Sequence, residues 1–262
     1  MSFPSAEESA LEGVTHRALT IVVFGGGGGI GAEVAARVVR RGWNCVIAGR
    51  TASALEAVSQ STNARVFVAD ARHDDQVDAC VADAVNTFGG VDGIVNCVGS
   101  LLLKPAHLTT RAEWDDVLAT NLTTAFHCVR AAAKYFSREH GGSIVLCSSV
   151  AARVGLANHE AIAAAKAGVI GLTLSAAATY ASRTIRVNCV APGLVRSPMT
   201  ARLVSNEASL KASVAMHPLG RIGEPADVAA AIEWLLDPAA SWVTGQVIGV
   251  DGGLSHVRPR AA

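Results

Sequence analysis

The chain has 262 residues, of which half are apolar and 17% are charged, and its 22 Lys and Arg residues balance its 22 Asp and Glu residues. A balanced surface charge provides no overall field for nucleic acid or for an acidic membrane, so the partner that we expect is a small molecule. The length suits one α/β domain with a substantial core.

The N-terminal stretch is acidic and has no apolar run, which excludes a signal peptide. We predict a mobile arm over residues 1–18 and a single domain over 19–262. The apolar stretch over 161–181 is broken by Lys166, which favours a buried helix over a membrane span. The six cysteines are widely spread and form no CxxC pair, so neither a metal site nor a disulfide framework is predicted. These features indicate a soluble cytoplasmic protein.

Short β-branched runs alternate with longer segments whose apolar residues recur every three or four positions, which is typical of βαβ units and a parallel sheet. The predicted strands are, in chain order, 20–24, 44–48, 64–68, 93–96, 143–147, 186–190 and 246–250. Seven strands with helices on both faces predict a doubly wound Rossmann-type sheet, which binds ligands beyond the carboxyl ends of its strands. The segment 200–217, between a Pro-Gly turn and the last helix, is predicted to be a mobile cover over the site.

A glycine-rich loop follows the first strand directly. The run from Gly25 to Gly29 is followed by Ile30 and Gly31, and an amphipathic helix begins there. Glycines let the backbone turn sharply and approach a pyrophosphate, whose charge is favoured by the free N–H groups and the positive end of the helix dipole. Between a strand and a helix, this pattern predicts a dinucleotide site.

The spacing of Gly25, Gly29 and Gly31 resembles the glycine motif of the short-chain dehydrogenase/reductase family, and the resemblance extends along nearly the whole chain. Phe24 departs from it, because the family usually has threonine there. The other matching positions are Asp70, which resembles the family's adenine-contacting acid, Asn96 and Gly99 of its turn beside the cofactor, Asn121 and Ser149 of its active site, and Pro192, Gly193 and Val195 of its nicotinamide-side turn. The C-terminal stretches 220–225 and 245–253 also match the family's signature.

The end of the second strand bears on the choice of cofactor. Gly49 stands where an acidic residue would select NAD, and Arg50 and Thr51 follow it. A guanidinium presents a planar fork suited to a 2′-phosphate, so the sequence favours NADP(H). The alternative interpretation of Arg50 is an ordinary surface arginine in a loop.

The resemblance implies that Lys166 binds the nicotinamide ribose and contributes positive charge, that Ser149 orients the substrate, and that Asn121 helps to hold a line of water to Lys166. Four residues before Lys166, where the family has the tyrosine that donates the proton, this sequence has Ile162. The only tyrosines, Tyr135 and Tyr180, lie too far along their helices to replace it.

Three explanations of Ile162 stay open at this point. The reaction needs no such acid, as in the reduction of an iminium or an activated alkene; or a water or His159 supplies the proton; or the chain is an NADP(H)-binding sensor or an inactive subunit. We favour an NADP(H)-dependent oxidoreductase, a candidate imine reductase, that reduces a C=O, C=N or activated C=C bond of a small apolar molecule. The expected substrate pocket consists of His159, Ile162, Leu101, Val154 and Met199. The resemblance also implies a homotetramer, with the helices around 114–136 and 162–180 between subunits.

Overall fold

The computed structural model describes residues 17–258, so most of the arm predicted over 1–18 lies outside the described residues. The described part of the chain forms a seven-stranded sheet in the order β3-β2-β1-β4-β5-β6-β7, and every neighbouring pair is parallel. The strands are β1 (Thr20–Phe24), β2 (Asn44–Gly49), β3 (Arg65–Val68), β4 (Gly93–Asn96), β5 (Gly142–Cys147), β6 (Ile185–Pro192) and β7 (Val247–Val250). This order confirms the predicted single-domain Rossmann-type fold, with its switch point between β1 and β4.

Helices connect the strands and cover both faces of the sheet. They are α1 (Gly29–Arg40), α2 (Ala52–Thr62), α3 (Asp74–Phe88), α4 (Arg111–Leu118), α5 (Thr124–Tyr135), α6 (Glu160–Tyr180), α7 (Ala201–Ser205), α8 (Glu207–Met216) and α9 (Pro225–Leu236). The strand bounds differ from the prediction mainly at β6. It continues to Pro192 because its pairing with β7 extends to the partners Pro192 and Val250.

The core consists of two layers, one on each face of the sheet, because alternate residues of every strand point to opposite faces. Phe24 and Ile144 pack on one face against α3, α5 and α6. Val23 and Val145 pack on the other face against α1 and α9. The two apolar layers hold the strands in register, so the loops after their carboxyl ends have fixed positions.

Helix α6 lies within this core. In the described range, it is the one helix whose length and composition would allow it to span a membrane. However, it packs against β5 and β6, and Val169, Thr173 and Ala177 on its inner face are buried. It is a core helix of the domain, as the sequence predicted.

The segment predicted as a cover is helical. After the turn that follows β6, a short 3-10 turn (Pro198–Thr200) leads into α7 and α8, and the segment ends at His217. That this segment moves stays a prediction.

Candidate active site

The glycine loop is held against the ends of β2 and β4. The N–H groups of Gly25 and Gly26 both donate to the carbonyl of Ala48, at 2.8 and 3.1 Å. Gly25 has a φ of +80°, and a Cβ there would lie 2.8 Å from the carbonyl carbon of Cys97. A Cβ at Gly31 would collide with the carbonyl oxygen of Gly25. Glycine is therefore required at both positions by close backbone contacts, with the turn after β4 at Gly25 and within the loop at Gly31.

The N-terminus of α1 is suited to an anion. Its N-cap is Gly28, which has no side chain to cap the helix, and the described residues place no acidic side chain in the first turn. The first N–H groups of a helix lack intrahelical partners, and the helix dipole makes this end positive. A pyrophosphate group fits this end of α1, and Gly28, Gly29, Ile30 and Gly31 all line the adjoining cavity.

The residues predicted to select the cofactor follow β2, and the predicted adenine-contacting acid, Asp70, follows β3. Arg50 is exposed, and Thr51 is the N-cap of α2. The Arg72 guanidinium donates to the Asp70 carboxylate at 2.6 Å and, with a contribution from the charge of Arg50, holds the pKa of that carboxyl below its ordinary value. Arg72, which the sequence did not indicate, therefore pairs with Asp70 directly.

Asn96 fixes the turn after β4 and is itself buried. Its Nδ2 donates to Thr124 Oγ1 at 3.1 Å, and its Oδ1 accepts from the N–H of Val98 at 3.0 Å. This pair of bonds connects the turn to α5, so the role that the structure gives Asn96 is to position Cys97 through Gly99.

Asn121 lies on a π-helical turn (Ala119–Thr123) that joins α4 to α5. Its Nδ2 donates to Ser100 Oγ at 2.9 Å and to the carbonyl of Val117 at 3.0 Å, and its Oδ1 accepts from the N–H of Ser100 at 3.0 Å. π-Helical turns are rare in proteins, and many of those that occur lie at functional sites. Asn121 thus clamps the loop after β4 against the helix, a contact that the sequence did not indicate.

Lys166 extends from α6 to the carboxyl end of β5. Its Nζ donates to the carbonyl of Cys147 at 2.9 Å, and burial lowers the pKa of its ammonium group. A Cβ built on Gly99 would lie 3.0 Å from Asn121 Oδ1, 3.5 Å from Lys166 Nζ and 3.9 Å from Met199 Cε. The amide, the ammonium group and the thioether therefore meet around Gly99.

The two serines after β5 have different environments. Ser148 Oγ donates to the carbonyl of Lys166 at 2.8 Å, which connects this loop to α6. Ser149 Oγ accepts from the N–H of Ala151 at 3.1 Å and lines the cavity. Because its oxygen is the acceptor in that bond, the hydroxyl proton of Ser149 is available to a ligand.

Ile162, one turn before Lys166, forms part of the cavity wall. Its side chain is 3% exposed and packs in an apolar cluster with Val117 and Ala165. His159, at the N-cap of α6, also lines the cavity, and its Nδ1 is bonded to the carbonyl of Ala157 at 2.7 Å, so Nε2 is the nitrogen that remains for a ligand. Both tyrosines of the chain pack against the core and are absent from the lining within the described residues.

These groups surround a cavity of about 470 Å³, a volume that suits a small-molecule ligand. The sequence-predicted residues that line it are Gly25, Gly29, Ile30, Gly31, Gly99, Leu101, Asn121, Ser149, His159, Ile162, Lys166, Pro192, Gly193, Val195 and Met199. Arg50, Thr51, Asp70, Asn96 and Val154 are not among the lining residues. Leu156 and Ala157 line the cavity wall near the position where Val154 was expected.

Sequence reasoning missed several groups at this cavity. Cys97, Cys147 and Ser100 line it, and all three lie at or just beyond the carboxyl end of a strand, where the rule for doubly wound sheets would have included them. His217 also lines it. Its Nδ1 donates to the carbonyl of Ser213 at 2.7 Å, and its Nε2 accepts from the N–H of Leu194 at 3.2 Å. No local sequence signal marks this bridge between α8 and the turn after β6.

The chain is similar in sequence to known dehydrogenases and reductases. A family model described as Enoyl-(Acyl carrier protein) reductase matches residues 26–255. A 2,5-dichloro-2,5-cyclohexadiene-1,4-diol dehydrogenase of Sphingobium indicum is 37% identical over 246 residues, which cover 91% of this chain and 97% of that protein. A 3-oxoacyl-(acyl-carrier-protein) reductase of Staphylococcus aureus is 38% identical over 247 residues, which cover 89% and 96%.

Two solved structures have the same overall arrangement. A short-chain type dehydrogenase/reductase from Mycobacterium ulcerans superposes with a TM-score of 0.88 at 31% identity, covering 92% of this chain and 91% of that one. A levodione reductase superposes with a TM-score of 0.86 at 30% identity, covering 93% of this chain and all of that one.

Proposed function

The chain belongs to the short-chain dehydrogenase/reductase family of oxidoreductases, and we propose that it is an NADP(H)-dependent reductase that acts without a tyrosine acid. The bond reduced is a C=N or activated C=C bond, or a C=O bond whose proton comes from elsewhere, in a small apolar substrate. The observation that carries the proposal is the cavity wall, in which Lys166, Ser149 and Asn121 surround the same space as Ile162.

The residues of the loop and of α1 fit a nicotinamide dinucleotide. The glycine loop and the N-terminus of α1 would hold the pyrophosphate, Arg50 would pair with the 2′-phosphate, and Lys166 would bind the nicotinamide ribose. When bound, NADPH supplies the hydride. The phosphate-binding part of this proposal rests on the uncapped N-terminus of α1 and on the tight backbone packing of Gly25 and Gly31.

The chemistry of the side chains favours substrates that need no strong acid. Reduction of a ketone leaves an alkoxide, which requires a proton, and the Ile162 side chain has none to give. Reduction of an iminium gives a neutral amine. Hydride addition to an activated alkene leaves an enolate, whose negative charge the Lys166 ammonium group would stabilise until water protonates it.

His159 provides a second route for the proton. Its Nδ1–H donates to the carbonyl of Ala157, so a second proton, on Nε2 of the imidazolium form, is the one that it would donate from the cavity wall. With His159 as the acid, the protein would reduce ketones despite Ile162.

The other alternative is a binding function, as an NADP(H) sensor or an inactive subunit. Ile162 alone favours this alternative, because a protein that only binds the cofactor has no use for Ser149 and Asn121 at these positions.

We also propose that the protein is a cytoplasmic homotetramer. Phe126 on α5 and Leu174 on α6 are 51% and 52% exposed, although they are large and apolar. Trp114 on α4 is likewise exposed. Exposed apolar groups on adjacent helices support burial of these helices between subunits.

The test of the proposed function is NADPH oxidation by the purified protein with a matched cyclic ketone, cyclic imine and cyclic enone, with NADH as the cofactor control. We expect turnover of the imine or the enone. Ketone reduction is expected to be slower by a factor of about 10² or more, because a positioned acid contributes at least that factor. Ketone reduction as fast as the others would contradict the preference for C=N and C=C bonds and favour the C=O alternative, with His159 as the acid. Tight NADPH binding without any turnover would contradict the proposal and favour the sensor.

The cofactor preference is tested by the substitution Gly49→Asp. A Cβ at Gly49 would meet only the side chain of Leu55, at 3.6 Å, so a side chain fits there. The new carboxylate would repel a 2′-phosphate and bond the ribose hydroxyls of NAD. We expect NADPH affinity to fall about 10- to 100-fold, which corresponds to ~1.4–2.8 kcal/mol, while NADH affinity rises.

Fluorescence titration with both cofactors measures this change, and Gly49→Ala is the matched control, because it adds the Cβ without the charge. An unchanged preference in the Asp variant would mean that the 2′-phosphate is not recognised at the end of β2.

A further inference from the structure

Two thiols face each other in the wall of the cavity. Cys97 follows β4, Cys147 ends β5, and their sulfur atoms are 3.7 Å apart. Both residues are partly exposed and line the cavity. The proposed reductase chemistry uses neither side chain, so the pair is open to another role.

The register of β4 and β5 brings the two cysteines side by side. Asn96 and Leu146 are paired across β4 and β5, so Cys97 and Cys147 are the next pair along. Both thiols pack in the apolar layer that contains Val95 and Val145, which places them on the same face of the sheet. Neighbouring strands lie ~4.8 Å apart, within the Cα separation of ~4.4–6.8 Å that disulfides span. The sulfur atoms therefore need to approach only by side-chain rotation and small backbone adjustments.

The two thiols differ in acidity. The hydrogen bond between the two thiols and the nearby Lys166 ammonium group hold the pKa of Cys147 below its ordinary value. The same hydrogen bond raises the pKa of Cys97. Because the thiolate is the reactive form, we assign Cys147 as the attacking sulfur of the pair. Burial raises the pKa of the four remaining thiols, Cys45, Cys80, Cys128 and Cys189.

We propose that Cys97 and Cys147 form an oxidative modification site, which hydrogen peroxide converts into an intrachain disulfide. The Cys147 thiolate attacks one peroxide oxygen, the O–O bond breaks, and the released hydroxide takes up a proton to leave as water. The resulting sulfenic acid is attacked at sulfur by Cys97, and a second water leaves as the S–S bond forms. The peroxide accepts two electrons in total, and the two thiols lose one proton each.

The disulfide would join the loops after β4 and β5 at the candidate active site. Lys166 donates to the carbonyl of Cys147, and the backbone of Cys97 packs against Gly25. Oxidation of the pair therefore alters a segment that contacts both the catalytic lysine and the glycine loop. A dithiol reductant would reverse the change.

The experiment treats the full-length protein with hydrogen peroxide, removes the oxidant with catalase, and then counts free thiols after denaturation. We expect four of the six thiols to remain, a single Cys97–Cys147 link in peptide mass maps made without reductant, and six thiols again after dithiothreitol. This readout does not depend on reductase activity, so it can fail or succeed independently of the proposed function.

Variants identify the pair. Cys97→Ser and Cys147→Ser are each expected to abolish the link, and circular dichroism shows whether each is folded. Cys45→Ala is the matched control, since it removes a buried thiol from the same apolar layer and is expected to leave the link intact. Six free thiols in the oxidised protein, or a link that joins other cysteines or separate chains, would overturn the proposal.

Discussion

An Ile162→Tyr variant is expected to gain ketone reduction by about 10²–10⁴-fold, the factor that a positioned acid typically contributes. Ile162 lies in the cavity wall one helical turn before Lys166, so the new hydroxyl would enter the same space as the lysine and Ser149. The Lys166 ammonium group would favour the phenolate and thereby lower the pKa of the new tyrosine. The prediction rests on the roles proposed above for Lys166, Ser149 and Asn121.

Steady-state NADPH oxidation with the cyclic ketone measures this gain. Ile162→Phe is the matched control, because it adds the same ring without the hydroxyl and is expected to leave ketone reduction at the level of the parent protein. If the Tyr variant binds NADPH and still reduces no ketone, the pocket differs from that of a ketone reductase at positions other than 162.

Replacing Gly31 by alanine is expected to abolish tight NADPH binding and to lower the free energy of unfolding by about 1–3 kcal/mol, the usual cost of overpacking. The added Cβ would collide with the carbonyl oxygen of Gly25, which is backbone and cannot rotate away. The loop must then separate from the start of α1, and the free N–H groups that would hold the pyrophosphate lose their positions.

Urea unfolding and NADPH titration measure the two effects of this substitution. Gly28→Ala is the matched control: Gly28 is exposed, has an extended backbone, and a Cβ there would meet only the carbonyl oxygen of Gly25 at 3.4 Å. We expect the control to retain most of its stability. Equal losses in the two variants would show that the collision at Gly31 is not what constrains the loop.

The fold was predictable from the sequence because each strand and helix of the parallel sheet has a local pattern of apolar residues. The apolar run of β1 stops before Gly25, and that of β4 lies between Gly93 and Asn96. The predicted ends of both strands agree with the structure. The glycine loop was predictable for the same reason, since a short stretch of chain contains both the turn and the start of α1. A polar group at the end of a strand could also be assigned to the ligand edge from topology alone.

The contacts that shape the candidate site were not predictable, because they join residues far apart in the chain. Nothing near Asn121 indicates a π-helical turn, and its partner Ser100 lies on another loop. The thiols of Cys97 and Cys147 are 50 residues apart in sequence, and each one alone has the pattern of a buried cysteine. Only the register of β4 and β5 brings them together.

His217 has a consequence for how a ligand would enter. The ring is 3% exposed and uses one nitrogen as a donor to α8 and the other as an acceptor from the turn after β6. Separating the two would leave buried polar groups unsatisfied, at a cost of about 1–3 kcal/mol for each. If the 200–217 segment moves as predicted, its C-terminal end at His217 would therefore be the pivot. The opening would then involve α7 and the junction of α7 and α8 at Asn206, which precede this bridge in the chain.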